Sequence, residues 1–305
     1  MSKGTKGASP SGARPYAWYF EPLKWLLLGL AYLPLSVLYV LAEGIYFLLA
    51  YVVRYRWLVV TENLRNSFPE KSAAEVEQTG KAFYRHFAQV VVEILKLSVI
   101  SPEELAKRMR FVNPELMTRP FAERRLVLSL GSHMGNWEWI LSGAALAFPS
   151  RAAGVYKPLN NAFFESFMRR LRTRLGADAV PMLATLRYLV AHRGEGRTLS
   201  LLTDQAAGPE DRPYWTTFLN QDTSFYTSAD RLAAQLDCAV LYVGIRRVKR
   251  GYYEVTFTEL PDGRTAAAPA GTFPVTEAFA RQLEKDMRAS PEQYLWTHRR
   301  WKHKR

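Results

Sequence analysis

Cysteine is almost missing from this 305-residue chain. A single Cys238 excludes an internal disulfide, and its place in the apolar run "LDCAVLYVGI" predicts a buried strand thiol rather than a nucleophile. Histidine is scarce too. The five, His86, His133, His192, His298 and His303, are scattered, and no Cys/His group has zinc-ligand spacing, so no structural metal site is expected; nor does anything in the sequence suggest a bound organic cofactor. His86, inside an amphipathic stretch, reads as a packing or surface residue. The sequence also lacks a G-x-S-x-G elbow, which leaves Ser129 and Ser132 as strand and loop residues rather than hydrolase nucleophiles. Acidic residues are in deficit, 28 against 41 basic, for a formal charge of +13. Such a surplus favours anionic partners: phospholipid or lipopolysaccharide surfaces, nucleic acid, or an acidic carrier protein.

Hydrophobic residues make up 48% of the chain, enough for a sizeable core. Residues 1–24 begin with a Pro/Gly/Ser-rich basic stretch and are expected to form a flexible tail. Residues 25–53, "WLLLGLAYLPLSVLYVLAEGIYFLLAYVV", carry Glu43 as their only charge and exceed the roughly 20 residues that cross a bilayer core. The run is too long for a cleaved signal peptide, and Trp25, Tyr51, Tyr55 and Trp57 at its edges suit an interfacial anchor. Pro34 and Glu43-Gly44 interrupt it, and the flanking charge is balanced. A spanning helix and a re-entrant anchor therefore both stay open, as does a buried core helix.

From residue 54 onward strands and helices alternate. Ser72 is the expected N-cap of an amphipathic helix ending near Leu97, with Phe83, Phe87, Val90, Val91 and Ile94 at helical spacing. A strand over Leu126–Leu130 leads into "GSHMGNWEW" and a helix ending before Pro149. Further strands are expected at "AAGVY", "RTLSLL", "CAVLYVGIRRV" and "GYYEVTFTEL", the last two as a hairpin, with helices at "NAFFESFMRRLRTRLG", "LATLRYLVAHRG" and "SADRLAAQLD". The expected fold is α/β, a largely parallel central sheet flanked by helices, with a hydrophobic membrane-anchoring helical segment ahead of a catalytic domain over 54–305. Ligand chemistry then belongs at the carboxyl ends of the strands. His133 lies just beyond one of them, and Asp204 and Gln205 just beyond another.

His133 and Glu138 would point about 140° apart on a continuous helix, so they meet only if the chain turns. Gly135 and Asn136 permit the turn. With Glu138 in the first helical turn, its carboxylate is expected to reach back to the imidazole, fix the tautomer and make His133 a general base toward a hydroxyl. Asp204 is the other acidic candidate, which would serve substrate binding if it holds a basic loop through arginine pairs. Six basic residues between Arg151 and Arg174, with Lys157, Arg169 and Arg170 among them, read either as a solvated helix face or as a dock for a phosphorylated lipid or an acidic carrier protein. The closing "THRRWKHKR" offers more positive charge for headgroups.

"SHMGNWEW" resembles the H-x-G-N-W-E block of the lipid A biosynthesis (late, lauroyl/myristoyl-type) acyltransferases, within the glycerolphosphate/lysophospholipid acyltransferase superfamily. "NLRNSFPEKS", "VYKPLNN" with "RRLRTRLG", "TDQ" with "FLNQDT" and "PEQYLWTHRRWK" extend the likeness from about Trp25 to the C-terminus. The resemblance implies O-acyl transfer from an acyl carrier protein or coenzyme A thioester to lipid A, its precursor or another lipid acceptor such as a lysophospholipid or aminolipid. It implies His133 as base and Glu138 as its partner. Asn136, Lys157, Arg169, Arg170, Asp204 and Gln205 are then candidates for substrate binding. It also implies a place at the bacterial inner membrane, with the catalytic domain on the cytoplasmic side and no nucleic acid partner. Two departures, Lys157 where many relatives have arginine and the loop "AAGPEDRPYW" after Gln205, bear on chain length and acceptor rather than on reaction class. The alternative from another class is a non-catalytic basic membrane or nucleic-acid binding protein, for which "RRWKHKR" and "RRVKRGYY" speak but no recognisable nucleic-acid module does.

Overall fold

A computed structural model describes residues 16–262 and 271–305, so the tail expected over residues 1–15 lies outside the described part. Within the part expected as tail, Trp18–Phe20 form a 3₁₀ turn and Glu21 begins a helix. A short 3₁₀ turn leads into α1 (Glu21–Tyr32), and Phe20 stacks at 5.0 Å on Phe163 of a later helix while Tyr16 meets the same ring edge-on. The apolar segment is two helices rather than one. Extended backbone at Leu33 and Pro34 separates α1 from α2 (Leu35–Phe47), because proline removes an amide hydrogen and disfavours helix in the residue before it. Lys96 Nζ donates to the freed carbonyls of Ala31 and Leu33 at 2.9 Å each, placing a cation at the negative end of α1. A π-helical turn over Leu48–Val52 extends α2, and Leu35–Val52 is long and apolar enough to cross a membrane.

Only half of that segment faces outward. Tyr39, Ala42, Tyr46 and Ala50, at steps of three or four residues, and Leu38 beside Tyr39 are buried in the core shared with α4 (Ala73–Lys96), whereas Val37, Val40, Phe47 and Val52 are exposed. Glu43, the lone charge in the run, pairs with Arg85 of α4 at 3.0 Å. Between them α3 (Trp57–Ser67) packs on α4, whose first turn is closed by a capping box: the Ser72 side chain accepts from Glu75 N, and the Glu75 carboxylate accepts from Ser72 N at 2.8 Å.

The remaining elements are α5 (Pro102–Arg108), β1 (Met109–Phe111), α6 (Glu115–Ala122), β2 (Val127–Gly131), α7 (Trp137–Ala147), β3 (Ala152–Tyr156), α8 (Ala162–Thr173), β4 (Asp178–Pro181), α9 (Thr185–Ala191), β5 (Thr198–Leu202), a β6–β7 hairpin (Tyr214–Phe218, Gln221–Phe225), α10 (Ser228–Leu236), β8 (Ala239–Lys249), β9 (Tyr252–Glu259) and α11 (Pro274–Ala289). Seven strands form the main sheet in the order β1-β9-β8-β2-β5-β3-β4. Five of them, β8, β2, β5, β3 and β4, run parallel, while β9 is antiparallel to β8 and carries β1 parallel to itself. The α/β class and the largely parallel sheet therefore stand as expected. Every residue of β2 is buried, as befits a central parallel strand covered by helices on both faces.

One carboxylate fastens the N-terminal helices to this sheet. Glu93, on the inward face of α4, is fully buried and accepts hydrogen bonds from Tyr39 Oη of α2 at 2.8 Å, Tyr253 Oη of β9 at 2.7 Å and Asn136 Nδ2 at 2.8 Å. Its backbone carbonyl accepts from Trp139 Nε1 at 2.9 Å. Burial pushes its acidity down and its pKa up, partly offset by the two tyrosine hydroxyls and the asparagine amide. Glu93→Ala would leave three buried donors without an acceptor, at about 1–3 kcal/mol each. Thermal unfolding should show a fall in Tm well beyond that of Glu93→Gln, which keeps the shape and an acceptor oxygen.

Candidate active site

The carboxyl ends of β2 and β5 are neighbours, since Gly131 is in register with Leu202. Two residues past each end stand His133 and Asp204. The imidazole Nδ1 and Asp204 Oδ1 are 2.8 Å apart, and His133 N donates to the other carboxylate oxygen at 3.2 Å. Asp204 is buried and His133 is partly open, with the carboxylate on the ring's Nδ1 side. The two groups act on each other electrostatically. Burial disfavours the charged imidazole, but the charge and hydrogen bond of Asp204 outweigh it, with a smaller contribution from Glu138, and raise the His133 pKa above its usual range. Burial likewise works against the Asp204 anion, and the same partner overcomes it, holding that carboxyl below the usual aspartate range.

The partnership differs from the sequence expectation. Glu138 does sit in the first turn of α7, but its carboxylate is taken by Arg172 of α8, with Nε to Oε2 at 2.9 Å and Nη2 to Oε1 at 2.5 Å. A fixed two-pronged guanidinium binds a carboxylate better than a single ring nitrogen does. Glu138 therefore pairs with Arg172, and Asp204, the other acidic candidate, is the carboxylate bonded to His133.

The turn between them needs its glycine. Gly135 has φ +54°, and a Cβ there would come within 3.2 Å of Ile245. Asn136, expected as a substrate-binding residue, is instead buried and fully used: Oδ1 accepts from Trp139 N at 3.1 Å as the N-cap of α7, and Nδ2 donates to Glu93. The far end of the chain clamps the same turn from outside. Leu295 N donates to the His133 carbonyl and Gly135 N to the Gln293 carbonyl, an antiparallel bridge centred on Met134 and Tyr294. Beyond it His298 Nε2 accepts from Ala206 N at 3.4 Å, and burial drops the His298 pKa to about 4, so this ring stays neutral.

The basic cluster divides. Arg172 holds Glu138, Arg174 bonds the carbonyls of Leu97 and Ile100, and Arg151 bonds that of Gly196, so these three are part of the scaffold. Lys157 and Arg170 are exposed, Arg169 is half-buried, and Gln205 is half-buried beside Asp204. Lys157 and Gln205 follow the carboxyl ends of β3 and β5, on the edge that carries His133. The closing basic segment divides as well: Arg300 is buried with its guanidinium over the Phe225 ring at 4.4 Å, which removes it from any headgroup-binding surface. Cys238 is buried and its pKa is raised to about 12 by burial, as expected for an inert thiol. Among the described residues no His/Cys/Asp/Glu cluster has the makings of a metal site.

Sequence reasoning missed Glu93 and Arg247. Their signal was in α4, where His86, Gln89 and Glu93 recur at steps of three and four on the buried face. Arg247 Nη1 reaches both His86 Nδ1 at 2.9 Å and Gln89 Oε1 at 2.8 Å, and Arg247 N donates to Gln293 Oε1 at 3.1 Å. These contacts support the turn from below.

The site is thus built on a histidine–aspartate pair at the carboxyl edge of a largely parallel sheet. Residues 10–303 match the family described as bacterial lipid A biosynthesis acyltransferase, and the chain belongs to that family; it is an acyltransferase. Among curated proteins it is similar to the lipid A biosynthesis palmitoleoyltransferase of Escherichia coli (strain K12), 24% identical over 285 residues that cover 92% of this chain and 91% of the relative. The lauroyltransferase of the same organism is also 24% identical, over 289 residues with the same coverage, and a lipid A biosynthesis acyltransferase of Shigella flexneri is 24% identical over 285.

The Glu138–Arg172 pair is mostly buried, so removing one partner strands a charge. Glu138→Gln or Arg172→Gln alone should cost about 3–5 kcal/mol in denaturant unfolding. The double variant should recover much of that loss, because neither charge is left uncompensated. Additive losses would mean that the pair contributes no coupling.

Proposed function

We propose that this protein is a membrane-attached O-acyltransferase that moves a fatty acyl chain from an acyl carrier protein thioester to a hydroxyl of lipid A or its precursor. The hydrogen bond between His133 Nδ1 and Asp204 carries the reading. With Nδ1 bound to the carboxylate, Nε2 of the neutral ring is the basic nitrogen. It takes the proton of the acceptor hydroxyl as the oxygen attacks the thioester carbonyl. The guanidinium N–H groups of Arg172 not engaged by Glu138 offer positive charge to the developing oxyanion. As the tetrahedral adduct collapses the C–S bond breaks, and the imidazolium returns its proton to the departing thiolate. The acyl group moves once, with no acyl-enzyme. Ser129, on β2, is buried and hydrogen-bonded to Thr198 Oγ1 at 2.5 Å.

Lys157, Arg169, Arg170 and Gln205 serve acceptor phosphates and the acidic carrier in this reading. The outward face of α2, with Val40, Phe47 and Val52 exposed, supports attachment to a membrane. The inner membrane and a catalytic domain on its cytoplasmic side follow from a cytosolic carrier; digestion of that domain from the periplasmic side of intact spheroplasts would refute the sidedness. Mass spectrometry of lipid A from a deletion strain and its complemented partner tests the acceptor: the deletion should lack one acyl chain, and unchanged lipid A would overturn the assignment.

Two substitutions test the chemistry. His133→Ala and Asp204→Asn should each lower kcat by roughly two to four orders of magnitude, and the double variant should be no worse than His133→Ala, since the two act as a unit. The acid side of the pH profile separates them from Glu138. His133 works only when neutral, and Asp204 raises its pKa above the usual 6.5, so kcat/KM should fall as pH drops through a value above 6.5. In Asp204→Asn burial acts unopposed by that partner. The acid limb should then move to lower pH, whereas in Glu138→Gln it should move much less.

A further inference from the structure

The segment after β4 is built inside out. Met182–Ala191, a 3₁₀ turn running into α9, is an apolar helix of ten residues, yet Leu189 alone of its large side chains is buried. Met182 is 51% exposed, Leu183 98%, Leu186 51% and Val190 56%. Steps of three and four place these side chains on one stripe, and that stripe points away from the protein. Contiguous exposed apolar surface of this kind marks an interaction site. Charge surrounds it: Arg187 and Arg193 on or just past the helix are exposed, as is Lys157 across the neighbouring strand end.

Its position says what covers it. Pro181, the last residue of β4, is in register with Tyr156, the last of β3. Met182 and Leu183 therefore adjoin the loop that holds the exposed Leu159, and that loop leads into α8, where Phe164 is exposed and Phe163 stacks on Phe20 of the N-terminal segment. Trp18 and Tyr19, next to Phe20, are exposed in turn. The outward apolar face of the N-terminal helices thus continues across α8 to the α9 stripe. It does so along the carboxyl edge of the sheet, the same edge that carries His133, with β4 three strand spacings, about 14 Å, from β2.

We propose that the Met182–Val190 stripe is a second membrane contact, seated in the interfacial region of an anionic bilayer, so that the enzyme lies with its sheet's carboxyl edge against the lipid surface. This rests on the membrane-attached reading above. Arg187, Arg193 and Lys157 meet headgroup phosphates while Leu183 and Leu186 enter the acyl boundary. An acceptor then passes from the leaflet to His133 by lateral movement and does not have to leave the surface.

The buried Cys238 makes a direct test practical, because a thiol introduced at the surface is the one that reacts. Leu183→Cys in the full chain, labelled with an environment-sensitive nitrobenzoxadiazole, is mixed with phosphatidylglycerol/phosphatidylethanolamine vesicles. The same label goes on Val40→Cys, 72% exposed on the outer face of α2, and on Ala122→Cys at the far end of the sheet. The expected result is a blue shift, and quenching by doxyl groups near the lipid carbonyls, for the Leu183 and Val40 labels but not for the Ala122 label. If the Val40 label inserts and the Leu183 label stays as wet as the Ala122 label, the second contact is refuted and the anchor stands. If the Val40 label also stays wet, the membrane-attached reading itself fails. A blue shift at Leu183 without lipid at dimer-forming concentration, or only on adding acyl carrier protein, would assign the stripe to a second copy or to the carrier and overturn the proposal. Leu183→Asp/Leu186→Asp should raise KM for acceptor in vesicles on the order of tenfold or more, with kcat nearly kept.

Discussion

A single buried carboxylate, that of Glu93, is the joint on which the architecture turns. An ionisable group without contact with water is expensive, and it persists only where its surroundings supply donors. Here the donors come from three places remote in sequence: Tyr39 in the apolar N-terminal helix, Tyr253 in the reversed strand β9, and Asn136 in the turn after β2. Satisfying one side chain fixes all three segments relative to α4. The surface that faces lipid in our reading and the turn that presents His133 are accordingly two ends of one hydrogen-bonded unit.

The site shows how much geometry comes from sheet order rather than from spacing. The strand, turn and helix of "RRLVLSLGSHMGNWEWILSG" were legible because a short apolar run followed by glycine and an N-capping asparagine admits few other structures. That His133 and Asp204 both end strands was legible too. Their pairing was not, because nothing local says that β2 and β5 are adjacent, and the nearer carboxylate, Glu138, made the more obvious partner. Arg172 settles the matter by offering Glu138 two parallel hydrogen bonds where a ring nitrogen offers one.

Other gaps have similar causes. β1 and β4 span three and four residues, too few for a period-two pattern to register. The β6–β7 hairpin turns on Leu219 and Asn220, both at positive φ, and a leucine there gives none of the usual turn signal. The apolar stretch of residues 25–53 was visible at once, but whether it stood apart from the domain was decided by Tyr39 and by the small Ala42 and Ala50, which let α2 lie close along α4. The basic cluster looked uniform in sequence; burial alone separated Arg172 and Arg174, which hold backbone and carboxylate, from Lys157 and Arg170, which face outward.

The strap over the active-site turn also imposes an order in time. His133 receives its backbone partner from Leu295 and Gly135 from Gln293, residues that emerge from the ribosome long after the β2 turn has been made. Closing so long a loop is slow and entropically unfavourable until the intervening strands have packed. The nascent chain therefore carries its apolar N-terminal helices, and the whole parallel sheet, before the turn has its final shape. The backbone around His133 is therefore completed only after residues 293–295 have been made and docked.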